Sequence, residues 1–198
     1  MLVTKKAPDF KASAVLADNQ IVKDFELSRN LGRNGAVLFF WPLDFTFVCP
    51  SEIIAMDHRV KDFKAKGFNV IGVSIDSDVV HFAWKSTPVN QGGIGNVQFP
   101  MVADLNKQIS RDYDVLFDES VALRGSFLID KNQVIRHAVI NDLPLGRNMD
   151  EMLRMCDALT FFEEHGEVCP AGWNKGDKGM KATTEGVAEY LAQNADKL

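Results

Sequence analysis

Residues Ala36-Val37-Leu38-Phe39-Phe40-Trp41-Pro42-Leu43-Asp44-Phe45-Thr46-Phe47-Val48-Cys49-Pro50-Ser51-Glu52 hold the transition around which the rest of the chain is arranged. The continuous apolar run over 36–41 fits a strand buried on both faces, and Pro42 stops it. Downstream, Pro50 follows Cys49, and Ser51-Glu52-Ile53-Ile54-Ala55-Met56 opens a helical pattern, a place where the amide that proline lacks has no partner anyway. Cys49 is therefore expected in the first turn of a helix. Unpaired N–H donors and the positive end of the helix dipole favour an anion there, and the thiolate is the reactive form of cysteine. Thr46, three residues upstream, can aim its hydroxyl into the same pocket, donating to one oxygen and accepting from another group. On these residues alone, the competing account makes Cys49 a small hydrophobe at a strand-helix junction.

Working outward, Ile53, Met56, Val60 and Phe63 recur at steps of three and four before Gly67 ends the helix, and Phe68 to Ile75 reads as the next strand. Strand, helix and strand make a βαβ unit, which predicts a partly parallel sheet with helices on its faces. Upstream, short apolar stretches around Asp18-Asn19 suggest an edge hairpin. After the N-cap pair Asp76-Ser77, a short helix over 78–85 carries His81, read as structural, and Trp84, placed in packing near the pocket; Pro88 closes it. Gly92-Gly93-Ile94-Gly95 is a loop that is mobile or tightly turned.

A strand over 99–103, a helix over 106–113 and an antiparallel pair, 126–130 and 134–139, about Lys131-Asn132 complete the sheet. Parallel and antiparallel strands with helices on both faces describe an α/β, thioredoxin-like fold. A long helix then runs from 149 to 165, with Gly166 as its stop. Met149, Met152, Cys156, Leu159 and Phe162 form its apolar stripe, which explains Cys156 as core packing. From Glu167 the chain changes character, and a last helix is expected over 184–195. The organisation read from this is a domain over 1–166 and a C-terminal arm over 167–198.

The chain has 198 residues, 46% of them apolar, enough for one sizeable core. A net charge of -5 argues against a nucleic-acid groove, which needs clustered lysine and arginine. No run of 18 apolar residues suggests a membrane span, and the first ten residues lack a secretory core, so a cytoplasmic protein is expected. The three cysteines, 49, 156 and 169, include no C-x-x-C, and Glu164-His165 with Cys169 offers too few ligands for zinc. No metal site is expected.

Pro42, Thr46 and Cys49 stand in a P-x-x-x-T-x-x-C pattern that, with Asp44-Phe45-Thr46-Phe47-Val48-Cys49-Pro50, resembles the peroxiredoxins, and among them the typical 2-Cys subgroup. The resemblance runs from Ala7-Pro8-Asp9-Phe10 to Glu189-Tyr190-Leu191; Ser51 departs from it where many relatives have threonine. A second phrase, Val168-Cys169-Pro170-Ala171-Gly172-Trp173, resembles the segment that carries the resolving cysteine of that subgroup. The resemblance implies a thioredoxin-like fold and a thiol peroxidase that reduces hydrogen peroxide and organic hydroperoxides. It also implies Cys49 as the peroxidatic cysteine, Cys169 as the resolving one, Arg124 against the sulfur, and Thr46 and Pro42 around it. Arg147 and Glu52 would form the charge network that aims Arg124.

It implies, further, an intersubunit disulfide, a homodimer within a ring of dimers, and reduction by thioredoxin or a flavoprotein disulfide reductase, with no bound cofactor. Read without it, Arg124 is either a guanidinium on a mostly buried strand that needs an anion such as a thiolate, or an edge arginine reaching solvent; Arg147 is an exposed pair, and Cys169 a loop thiol without assigned purpose. Tyr190-Leu191, where overoxidation-prone relatives have Tyr-Phe, implies intermediate resistance to sulfinic acid. The alternative functions are an oligomeric holdase chaperone or a redox-signalling protein. A cysteine hydrolase would need a histidine base, and none of His58, His81, His137 and His165 lies in a phrase that suggests one.

Overall fold

The computed structural model describes residues 1–197. In chain order its elements are β1 (Lys11–Val15), β2 (Ile21–Glu26), β3 (Gly35–Phe40), α1 (Cys49–Ala65), β4 (Phe68–Ser74), α2 (Asp78–Ser86), β5 (Met101–Ala103), α3 (Gln108–Asp112), β6 (Leu116–Phe117), β7 (Val121–Ala122), β8 (Arg124–Asp130), β9 (Ile135–Asn141), α4 (Met149–His165) and α5 (Thr184–Asn194). Seven strands form one mixed sheet in the order β2-β1-β5-β4-β3-β8-β9, flanked by helices, while β6 and β7 make a separate two-stranded ladder. β3 pairs parallel with β4 and antiparallel with β8, so the chain's most apolar strand lies inside the sheet.

Alternation along β3 explains why both its faces are dry. Leu38 and Phe40 belong to one core cluster, where Phe40 meets Tyr113 and Phe127 at ring separations of 5.3 and 5.8 Å. Phe39 points the other way, onto Trp41 and Phe99 at 5.6 and 5.4 Å. Gly72 of β4 makes that second layer possible, because a Cβ there would stand 2.7 Å from the Trp41 ring.

α1 follows its sequence signals closely. Pro50 lies in its first turn, Glu52 complements the positive end of the dipole and Lys64 the negative end, and Gly67 leaves the helix at φ 84°. Ile53, Met56, Val60 and Phe63 are its buried stripe. Ser77 caps α2 by accepting from the Val80 amide at 3.2 Å. Four expectations need correction. The strand over 99–103 shortens to Met101–Ala103, the helix over 106–113 to Gln108–Asp112, and Phe162, expected on the stripe of α4, is 43% exposed. The turn between β8 and β9 is longer than Lys131-Asn132, because the Asp130 carboxylate accepts from the amides of both Asn132 and Val134.

The chain divides into two compact units, Met1–Met149 and Asp150–Leu198. The contacts place that division at the start of α4, whereas the composition changes at its end. In the second unit, Val168 and Met180 exchange two backbone hydrogen bonds, and α5 buries none of its residues.

Lys85 gives the first unit a pH-dependent cost. Its buried ammonium donates to the Leu16 carbonyl at 2.6 Å, and burial pushes its pKa down to about 8 against the pull of Asp18 and Asp57. Below that pH the group is charged in both states and the full cost of burying it is present. Between about 8 and the ~10.4 of an unfolded lysine, the unfolded chain holds a proton that the folded chain lacks, so stability rises with pH. Lys85→Met is expected to melt higher at pH 7, by the equivalent of about 1 kcal/mol after the lost bond to Leu16, and to lack the climb between pH 8 and 10. A wild-type melting profile that is flat over that range defeats the prediction.

Candidate active site

The Trp41 amide donates to Val73 at 3.1 Å, carrying the ladder one residue past β3; Pro42 has no N–H to continue it. The loop that follows is held at Asp44. Its buried carboxylate accepts from Trp41 Nε1 at 2.8 Å and lies 2.7 Å from His81 Nδ1, while its amide donates to Asp76 Oδ2 at 2.9 Å. Burial pushes the Asp44 carboxyl above the ordinary carboxylate range, against its hydrogen bond with His81. His81, fully buried, also has Nε2 3.2 Å from the Val102 carbonyl and anchors the loop on α2 and β5. Phe45 takes a left-handed φ of 52° and sets its ring 5.8 Å from Trp84, which reaches the loop in this way. Trp84 itself is fixed by donating to the Gly92 carbonyl at 3.0 Å.

Cys49 opens α1 with its side chain buried. The β3–β8 register, with Phe39 opposite Ser126, brings Arg124 level with Trp41 at the mouth of the same strand pair. Arg124 Nη1 donates to Cys49 Sγ at 3.3 Å and to Glu52 Oε2 at 2.6 Å, and Nε donates to the Leu143 carbonyl at 2.7 Å. Only 4% of Arg124 is exposed, which disposes of the edge arginine reaching solvent. The side chain of Arg147 is buried as well, so its pairing is not the exposed one. It gives Glu52 Oε1 both its backbone amide, at 2.9 Å, and Nε, at 2.8 Å, and gives Oε2 Nη2 at 3.1 Å. Nη1 donates to the Gly125 carbonyl at 2.8 Å, and the guanidinium lies 5.2 Å from the Phe39 ring centroid.

One carboxylate thus takes four donors from two arginines, a set that fills its lone pairs and fixes both guanidinium planes. Burial opposes the charge on each arginine. At Arg124 the hydrogen bond to Cys49 and the Glu52 charge outweigh it and hold the group above its ordinary range, whereas at Arg147 burial wins and lowers it. The cluster's fixed charges, two guanidinium groups and one carboxylate, leave one positive charge beside the sulfur.

Thr46 donates its hydroxyl to the Leu43 carbonyl at 2.9 Å, so the oxygen it donates to belongs to the backbone of its own loop and the side it offers a ligand is a lone pair. Pro42 is buried at the start of the loop. Cys169 belongs to the second unit, where its thiol lies 3.5 Å from the Ala158 carbonyl, and burial pushes its pKa up against the charge of Arg154. Cys156 is fully buried in α4. The contributions of Asp44, Leu143 and Phe39 had no place in the sequence reading. Asp44 carried a signal, being the one charge in an apolar loop, but a backbone carbonyl such as that of Leu143 carries none.

Residues 3–138 match the AhpC/TSA family model, and residues 158–193, which include Cys169, match the model for the C-terminal domain of 1-Cys peroxiredoxin. The chain is 77% identical over 198 residues to alkyl hydroperoxide reductase C of Helicobacter pylori, covering 100% of both chains. To peroxiredoxin-2 of Macaca fascicularis it is 47% identical over 193 residues, covering 97% of this chain and 96% of the other. The reduced 2-Cys peroxiredoxin of Plasmodium vivax superposes with a TM-score of 0.94 at 48% identity, over 97% of this chain and 99% of that one. A buried cysteine at a helix start, met by an arginine whose plane is fixed from behind, thus sits in a thioredoxin-like fold shared with these relatives, and the chain belongs to the AhpC/TSA family of peroxiredoxins, the thiol-dependent peroxidases of antioxidant defence.

Proposed function

We propose that Cys49 performs the peroxidase reaction as a thiolate. Its sulfur attacks one peroxide oxygen, the S–O bond forms as the O–O bond breaks, and the departing oxygen takes a proton to leave as water or an alcohol. The sulfur, oxidised by two electrons, becomes a sulfenic acid. One observation carries this reading: Arg124 Nη1 stands 3.3 Å from Cys49 Sγ, positioned by Glu52. A fixed cation there supports the sulfur anion and then the charge that develops on the leaving oxygen. The lone pair of Thr46 suits the O–H of an incoming hydroperoxide. Pro42 restricts water at the sulfur. Glu52 and Arg147 hold Arg124 in its plane, and Trp84 supports the loop.

Cys169 then condenses with the sulfenic acid and water leaves, giving a disulfide between subunits. Two surfaces support the assembly this needs. β9 closes one end of the sheet; the N-terminal segment meets its outer edge at Ile135, through the Thr4 amide and the Lys5 carbonyl, and among the described residues no further strand pairs with that edge, where Val139 and Ile140 are exposed. A second copy that adds its own β9 satisfies those backbone groups, which makes a homodimer. Phe45, Val79, Phe82 and Val89, exposed on the active-site loop and on or just beyond α2, offer a second apolar surface for joining dimers into a ring. Thioredoxin or a flavoprotein disulfide reductase returns the enzyme to its dithiol in the cytoplasm.

Non-reducing electrophoresis after one equivalent of hydrogen peroxide tests the scheme. Covalent dimers are expected from wild type and Cys156→Ser, and from neither Cys49→Ser nor Cys169→Ser. A covalent dimer that persists in Cys169→Ser rules out its assigned role.

A further inference from the structure

Among the described residues, Arg154 is a cation fixed beside the segment that carries the second cysteine. On α4 its Nε and Nη2 meet Glu151 Oε2 and Oε1 at 2.6 and 2.7 Å, which fixes the guanidinium plane. Its Nη1 donates to the Trp173 carbonyl at 2.6 Å. Trp173 ends a tight turn: its amide donates to the Pro170 carbonyl at 3.1 Å, and Gly172 takes the left-handed φ of 68° that such a turn requires at its third position. The Trp173 ring is buried, 4.9 Å from Phe161. At the other end of this segment, Cys169 Sγ contacts the carbonyl of Ala158, one helical turn beyond Arg154. Cys169 to Trp173 is therefore strapped onto α4 at both ends, with Arg154 at one of them.

We propose that Arg154 is a positioning residue for the resolving step, holding the Cys169–Trp173 turn on α4 and supplying a positive charge one helical turn from the Ala158 carbonyl that the Cys169 thiol contacts. The proposal rests on the reading of Cys169 as the resolving cysteine. In that step the Cys169 thiol gives up its proton and its sulfur attacks the Cys49 sulfenic sulfur. The S–S bond forms, the S–O bond breaks, and hydroxide leaves with a proton as water; Cys169 is oxidised and the sulfenic sulfur reduced. The attacking sulfur must be anionic. Burial works against that at Cys169, and Arg154 is the charge that opposes it. Glu151, paired with Arg154 through both carboxylate oxygens, offsets part of that charge.

The test follows disulfide formation in the full chain by rapid acid quench and non-reducing electrophoresis, from pH 5.5 to 9.5, after one equivalent of hydrogen peroxide. In Arg154→Met the pH midpoint of disulfide formation is expected to rise by about half a unit, slowing the step about threefold at pH 7, with sulfenic acid formation unchanged. Arg154→Lys should restore the midpoint. Glu151→Gln, which leaves the cation without its neutralising partner, should move it the opposite way; a purely structural role gives no such reversal of sign. An unmoved midpoint in Arg154→Met, or a lysine variant as defective as the methionine one, overturns the proposal while leaving the role of Cys169 intact. If wild type forms no disulfide through Cys169, both fall together.

Discussion

Arg124→Met is expected to lower kcat/KM for hydrogen peroxide by about 10² to 10³, the range found when one fixed donor to a developing oxyanion is removed. The magnitude follows from where the donor is held. Arg124 is buried, its Nε is committed to Leu143, and its Nη1 is shared between Cys49 and Glu52. It therefore meets the transition state without reorganising, which a mobile surface cation could not do. The substitution also leaves Glu52 paired with Arg147, so the fold keeps a satisfied carboxylate and the loss falls on chemistry. Arg124→Lys should recover only part of the rate, because an ammonium cannot reach Leu143, Glu52 and the sulfur from one plane. Stopped-flow measurement of peroxide consumption checks this; an Arg124→Met enzyme within tenfold of wild type removes Arg124 from the mechanism.

Much of this arrangement was legible in the sequence because it is local. The apolar run of β3, the proline that ends it and the proline that opens α1 place Cys49 through backbone rules alone, and the stripe Ile53, Met56, Val60, Phe63 sets which face of α1 is buried. Arg124 could be named from its phrase, but its burial stayed open between two readings, since a strand's side chains face core or solvent according to the sheet around them. The pairing of Asp44 with His81 shows the limit most clearly. It joins residues 37 apart through the packing of α2 against the sheet, and nothing in either stretch names the other as its partner. The exposure of Phe162 was equally out of reach, because helical spacing gives the direction of a stripe but not where it ends. Which oxygen the Thr46 hydroxyl donates to was out of reach for a related reason: its proton goes to a backbone carbonyl within its own loop, a choice that competes with any ligand and leaves no trace in residue type.

Glu52→Gln should have the largest effect on stability of any change at the site. The Glu52 carboxylate is the shared partner of two buried guanidinium groups, accepting from Arg124 and at three places from Arg147. Glutamine keeps the shape but removes the charge, and its amide nitrogen turns donors toward donors. Leaving buried cations uncompensated costs about 3 to 5 kcal/mol. For a chain of this length each kcal/mol shifts Tm by roughly 2 to 4 °C, so a fall on the order of 10 °C is expected at fixed protein concentration. Activity should fall too, well below the melting range, because Arg124 loses the contact that sets its plane. Combining Glu52→Gln with Arg147→Met separates the two effects. Removing the second cation relieves the uncompensated charge, so the double variant should melt higher than Glu52→Gln alone, while its peroxidase activity stays low because nothing aims Arg124. A double variant that melts lower than either single change would mean that the cluster is held by packing and not by charge balance, and the electrostatic account of the site would go with it.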